Sequence, residues 1–261
     1  MALVESDFRL RISIITVCFN SAITIEDTIK SVENQKGADV EHIIIDGLSK
    51  DGTIDIIKRN KSVSKFVSEP DNGIYDAMNK GIVLATGDVI GTLNADDFYA
   101  NENVLEEVAK VFLDPNVEAC YGDLVYVNQK DTEEIVRYWK SRDYVSGLFK
   151  SGWMPAHPTF FVRKSVYDRL GGFDLSYKIA ADFELLFRFI EQNKIETKYL
   201  PKVLVKMRLG GTTNKNLSNI LRQNKEILSI LKKQYPDFSV LKFAFAKLFN
   251  RLFQYIFHPK S

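Results

Sequence analysis

Two adjoining carboxylates, Asp96 and Asp97, follow directly on the apolar run Asp88 to Leu93. Carboxylates so placed repel each other at neutral pH unless a positive charge lies between them. A divalent cation resolves the repulsion. Hard oxygen donors suit Mg2+ or Mn2+, which use few protein carboxylates and complete their shell with substrate phosphate and water. The plain alternative is a helix cap, with Asp97 facing the next helix. Three other polar segments close apolar runs in the same way: Asn20, the stretch Asp46-Gly47-Leu48-Ser49-Lys50-Asp51-Gly52-Thr53, and Glu69-Pro70-Asp71-Asn72-Gly73. Asp51-Gly52 and Asn72-Gly73 read first as turns. Four such segments in one chain ask for more than turn chemistry.

The elements that must hold them alternate. Ile12 to Phe19, His42 to Asp46, Lys65 to Ser68 and Asp88 to Leu93 are apolar, β-branched runs and predict buried strands. Between them, Ile25, Ile29 and Val32 recur at helical spacing behind Thr24, and Thr53 to Lys58 and Ile74 to Leu84 predict two more helices; Val104 to Phe112 predicts a fourth. This order predicts an α/β fold, a Rossmann-like and mostly parallel sheet with helices on both faces. Ligands of such sheets bind beyond the carboxyl ends of the strands, where the four polar segments fall. Past residue 115 the pattern loosens. Strands are predicted at Cys120 to Val127, Ile135 to Trp139 and Pro158 to Val162, and helices at Asp182 to Gln192, Leu217 to Tyr235 and Val240 to Phe257.

Several function classes drop out. At 261 residues, 45% hydrophobic and 26% charged, the chain is no disordered segment. No apolar run reaches the roughly 18 residues of a membrane span. Glu5 and Asp7 interrupt the N-terminus, so no secretory signal is expected and the expected location is cytoplasmic. Cys18 and Cys120 lack metal spacing and read as buried thiols of a reducing compartment. There is no Walker loop, no G-x-G-x-x-G and no G-x-S-x-G. The only histidines are His42, His157 and His258, too few for a histidine metal centre.

Taken in order, the motifs resemble those of a bacterial family 2 glycosyltransferase of the GT-A fold, from about Ile12 to about Asn214. Ile45-Asp46-Gly47-x-Ser49-x-Asp51-Gly52-Thr53 resembles the family's D-G-x-S-x-D-G-T loop. The block from Glu69 through Tyr75 and Asn79 to Ile82 is similar to that of enzymes of surface-polysaccharide assembly, of colanic-acid type. Leu93-Asn94-Ala95-Asp96-Asp97 stands at the D-x-D motif, and Gly171-Gly172-Phe173-Asp174 with Ala181-Asp182 stands at the G-G-F-D…E-D block. Asn94 and Ala181 depart from the pattern, each replacing an acid.

The resemblance implies an inverting, metal-dependent transfer of a sugar from a nucleotide sugar, most simply a UDP-sugar, to a polysaccharide or lipid-linked oligosaccharide. Asp46 would hydrogen-bond the nucleobase beside Val17 and Phe19. Asp71, Gly73 and Asn79 would belong to the donor site. Asp96 and Asp97 would hold the ribose and the Mn2+ or Mg2+ that bridges the diphosphate, and Asp182 would be the general base. Without the resemblance, Asp182 reads as a favourable charge at a helix N-terminus. His157 and Arg208 are placed to reach the diphosphate, with an ordinary loop histidine and a surface charge as their alternatives. Gly210-Gly211 marks a candidate flap over the donor. Two other readings stand beside this one. A nucleotidyltransferase would share the sheet and acidic site but need a Gly-rich basic first loop, and a non-catalytic sugar-nucleotide-binding subunit would not need Asp182.

The charge is segregated. Residues 198–261 hold 13 Lys/Arg against Glu226 and Asp237, a net of +11, which leaves −10 for residues 1–197. The expected division is a catalytic domain over 1–213 and basic amphipathic helices over 214–261. Phe243, Phe245, Phe249, Phe253, Tyr255 and Phe257 share the last helix with Lys242, Lys247 and Arg251, and no acid occurs in it. Aromatics at helical spacing favour an anionic membrane surface or protein packing over base stacking, so no nucleic-acid partner is expected.

Overall fold

The structure is a computed structural model, and it describes residues 10–210 and 217–256. The N-terminal segment through Arg9, Gly211 of the candidate flap, and Phe257 lie outside the described residues, as does the side chain of Phe253.

The alternating first half forms as its sequence predicts. Strand β1 (Arg11–Cys18) is followed by helix α1 (Ile25–Glu33), β2 (Asp39–Asp46), α2 (Thr53–Arg59), β3 (Lys65–Ser68), α3 (Ile74–Leu84) and β4 (Val89–Thr92). The order β3-β2-β1-β4 is parallel throughout. Because side chains alternate across a strand, β1 and β2 are apolar on both faces. Ile15, Val17, Ile43 and Ile45 pack with Ala77, Met78 and Ile82 of α3. Ile14, Ile44 and Cys18 pack on the other face with Val32, Ile25, Ile29 and Ile57 of α1 and α2. Both cysteines are buried and free, as expected.

Beyond β4 the sheet is mixed. Strand β5 (Asp97–Tyr99) and helix α4 (Val104–Val111) precede β6 (Ala119–Val127), β7 (Ile135–Trp139), β8 (Phe161–Arg163), α5 (Lys164–Leu170), α6 (Ala181–Leu186) and β9 (Thr197–Arg208). The order continues β4-β8-β6-β9-β5, with β7 paired to β6. The long β6–β9 ladder is parallel, while β8, β5 and β7 join antiparallel. Four elements differ from the sequence expectation. Strand β5, three residues long, has no counterpart in it. Strand β9 was unread because lysines alternate along it and Pro201 interrupts it; its register against β6 shifts there, between Tyr121 and Asp123. Helix α5 fills a stretch left as loop. The expected strand at Pro158 begins later, after a 3-10 turn at His157–Thr159. Helix α6 continues through a π turn, Phe187–Gln192.

Helices α7 (Leu217–Gln234) and α8 (Val240–Ile256) close the described chain. Ile227, Ile230 and Leu231 of α7 and Phe243 of α8 share a core with Phe183, Leu186 and Phe187 of α6. No described helix is long and apolar enough to cross a membrane.

Candidate active site

The loop after β2 is built around Asp46. Its side chain is fully buried, and it accepts hydrogen bonds from the Ser49 hydroxyl, the Ser49 amide (3.0 Å) and the Ser68 hydroxyl of β3 (2.6 Å), with the Cys18 thiol at 3.5 Å. The same loop is stapled to the segment after β1. Asn20 and Ser21 donate their amides to Ser49 Oγ and Thr53 Oγ1, and Ala22 donates to Asp51, which also accepts from Thr53. The Thr53 and Ala22 bonds hold the Asp51 carboxyl below its ordinary range. The recognised loop is thus a fastening between two strand ends. Asp46, expected at the nucleobase, has both oxygens engaged by hydrogen bonds inside the protein and so also anchors the loop.

The surface above it belongs to Phe19 and Asp71. Phe19 is 62% exposed, while Val17 lies buried behind it. Asp71 accepts from the Gly73 amide at 2.8 Å through Oδ1 and brings Oδ2 against Gly47, where a Cβ would sit only 2.5 Å away. Gly73 has φ of 116°, a conformation side chains resist, and it opens α3. Asn79, expected to bind donor, also bonds within the protein. Its amide donates to the Phe173 carbonyl (2.9 Å) and accepts from the Phe173 amide (2.8 Å), clamping the Gly171-Gly172-Phe173 loop to α3.

The loop after β4 differs. Asp97 is wholly buried, accepts from the Asn94 side chain at 3.1 Å through Oδ2, and leaves Oδ1 without a hydrogen-bond partner. Asn94 Oδ1 is likewise buried and unpartnered. Burial and the Asp96 charge push the Asp97 carboxyl well above the ordinary range, against the opposing help of Asn94 and Arg208. Among the described residues no group of three or more His, Cys, Asp or Glu gathers. Asp97 Oδ1 and Asn94 Oδ1 are nonetheless oxygens of the kind a small hard cation takes, buried and without a hydrogen-bond partner. Arg208, at the end of β9, is only 8% exposed. It donates to the Asp96 carbonyl (2.8 Å) and to Asp27 of α1 (2.6 Å), and it covers the Phe98 ring. It is a support of the Asp96 loop and not the surface charge that was its alternative.

Asp182 begins α6. Its Oδ2 lies 3.4 Å from His157 Nδ1, and the Tyr75 hydroxyl stands 3.4 Å from its Oδ1 while donating to the Ile179 carbonyl at 2.8 Å. Burial raises the Tyr75 hydroxyl well above its usual range, with Asp182 adding to the effect. Burial lowers the His157 imidazole below its usual range, with Asp182 opposing. His157 is therefore a partner of Asp182, not an isolated loop histidine. Tyr75 begins α3, directly after the Asp71–Gly73 loop, so one helix start joins the donor edge to Asp182.

The sequence reading gave no role to two further residues. Tyr75 lay within a quoted motif. Glu226 of α7 accepts the amides of Lys178, Ile179 and Ala180 at 3.2, 3.0 and 3.0 Å and so fixes the segment leading into Asp182. Its signal was visible: it is the only acid between residues 198 and 236 of a basic segment.

The model for glycosyl transferase family 2 matches residues 13–171. The chain belongs to that family. It is a glycosyltransferase. A PGL/p-HBAD biosynthesis glycosyltransferase of Mycobacterium bovis is 28% identical over 240 residues, covering 86% of this chain and 90% of that one. An uncharacterised glycosyltransferase of Mycobacterium tuberculosis is 31% identical over 191 residues, 68% of each chain. Among solved structures, S. aureus TarS in complex with UDP-GlcNAc has a TM-score of 0.64 at 17% identity, covering 91% of this chain and 69% of that one. A mannosyltransferase from Pyrobaculum calidifontis, in complex with GDP-Man and Mn2+, has a TM-score of 0.63 at 18% identity, covering 94% and 70%. These neighbours carry the GT-A fold, and so does this family member.

Proposed function

We propose that the protein transfers a sugar from a nucleoside-diphosphate sugar, a UDP-sugar in the simplest reading, to a hydroxyl of a saccharide acceptor, with inversion at the anomeric carbon. The observation that carries the reading is Asp182, held between Tyr75 of the donor edge and His157. The nucleoside lies on Phe19 with Asp71 at its edge. The base ring gains a stacking face there, and Asp71 Oδ2 supplies an acceptor.

Asp96 and Asp97, with Asn94 beside them, would hold a Mn2+ or Mg2+. That cation supplies charge neutralisation for the leaving diphosphate. Arg208 keeps the Asp96 backbone in place for this. Asp182 accepts the proton of the attacking hydroxyl as it bonds to the anomeric carbon, and the bond to the diphosphate breaks on the opposite side. Displacement in one step inverts the configuration. His157 orients the Asp182 carboxylate by its proximity. The acceptor is a growing surface polysaccharide or a lipid-linked oligosaccharide. That class follows from the resemblance of the Glu69 to Ile82 block.

Asp182→Asn keeps the shape and removes the base. Transfer should fall by about 10²–10⁴-fold, while stabilisation by UDP and Mn2+ in a thermal-shift assay stays as in the parent. Unchanged turnover would remove Asp182 from the chemistry.

A further inference from the structure

Helix α8 has two unlike faces. The inner face is pinned to the catalytic body. Phe243 is 2% exposed in the core, Lys247 donates to Asn224 of α7 at 2.7 Å, and Gln254 accepts from Arg137 of β7 at 2.6 Å. The outer face carries Leu241, Phe245, Leu248, Phe249, Leu252 and Tyr255 at helical spacing, each between 49% and 73% exposed. So continuous an apolar stripe is uncommon on a surface that faces only water.

Charge selects what covers it. By the helical period, Lys242 and Arg251 flank the stripe on opposite sides, and both are exposed. Lys232 and Lys233, at the end of α7, are exposed as well. Nothing between Val240 and Ile256 is acidic. Two copies of this face would bring cation against cation. An anionic bilayer offers apolar depth for the stripe and phosphate for its flanks.

We infer that α8 lies in the plane of an anionic lipid surface and seats the enzyme there by its Leu241–Tyr255 stripe. The inner face of the same helix borders the active site. Burial and Arg251 push the Lys247 ammonium down to about 8, with Asp182 opposing, so its charge stands in the field of the proposed base. Tyr255 lies 5.8 Å from the Arg137 guanidinium, which covers Tyr126 at 4.5 Å. An enzyme seated on a lipid surface by α8 would meet a lipid-linked acceptor at that surface. That consequence rests on the transfer proposed above, while the lipid contact does not.

The test uses the full chain in co-sedimentation with phosphatidylcholine vesicles, with and without phosphatidylglycerol. Binding is expected only with the anionic lipid and should weaken as salt is raised. Phe245→Ser should weaken partitioning by about tenfold, the change expected for removing one large side chain from the apolar layer. Lys242→Gln should weaken it by about fivefold, the loss of one surface cation. Both residues are exposed, so donor hydrolysis in solution should match the parent. The inference is overturned if the parent stays in the supernatant with anionic vesicles, or if Phe245→Ser sediments as the parent does. A dimer in light scattering without lipid, dissolved by Phe245→Ser, overturns it in favour of a second copy of the chain. If vesicles bind but no nucleotide sugar is used, the transfer reading fails and the lipid contact stands.

Discussion

Strand β2 ends and strand β5 begins on a wholly buried aspartate, each at a loop of the candidate site, and the two have opposite surroundings. Asp46 is met by two hydroxyls and a backbone amide. Asp97 is met by one side-chain amide and keeps an oxygen with no partner. A buried carboxylate that is fully hydrogen-bonded stabilises the fold around it. One that is under-supplied costs stability unless a ligand completes it. The first carboxylate is therefore finished by the protein's own hydrogen bonds, and the second keeps an oxygen that they leave unfinished. Identical residue types at two strand ends do different jobs because their neighbours differ.

The largest expected effect is on the unfinished side. Asp96→Asn or Asp97→Asn should lower transfer by about 10²–10³-fold, measured with Mn2+ in excess, without loss of folding. The raised Asp97 carboxyl also gives a sign. A folded value above the unfolded one contributes stability at acid pH and loses it as pH rises through the folded value. Without metal, Asp97→Asn should thus melt higher than the parent, and the gap should widen with pH. A lower melting temperature would mean that Asp97 is saturated after all, and the contrast would disappear.

On the finished side the sign reverses. Asp46→Asn turns donors towards Ser49 and Ser68 and should cost about 2–4 kcal/mol in urea unfolding. A neutral result there would show that the hydroxyls are not holding the loop. The smallest effect sharpens the rule at a third buried carboxylate. Glu41 of β2 accepts from Ser13 (2.6 Å), the Thr86 amide (2.8 Å) and Lys65 (2.9 Å). Burial opposes its ionisation, but these bonds prevail and lower it from 4.5 to about 2. Its stabilisation is present above about 4.5 and is lost as pH falls towards about 2. The melting-temperature gap between the parent and Glu41→Gln should narrow over that window.

The parallel half was legible because each strand is apolar on both faces and each helix is amphipathic, so local pattern and final place agree. Strand β9 was not. Its lysines at 202 and 206 point to Glu107 and Glu133, and only contact with β6 and β5 makes it a strand. The site was legible as a set of loops at one sheet edge, not as a set of roles. Asn79 and Arg208 have types that bind phosphates and sugars well, and the fold also gives them bonds to Phe173 and to Asp96 and Asp27 that no local window shows. Asp182 on its own reads as a helix-end charge, and the motif order, not its local sequence, singled it out.

The amino-acid order by itself determined the alternation of strands and helices, the four acidic or amidic loops at the strand ends, the family and the basic aromatic end of the chain. These are properties of short windows, where periodicity and turn chemistry act. Which carboxylate is saturated, which faces His157, and which side of α8 is left to the outside were decided only by tertiary structure. Hydrogen-bond completion and burial depend on groups brought from distant positions: Ser68 to Asp46, His157 to Asp182, Arg137 to Gln254. No local window contains them.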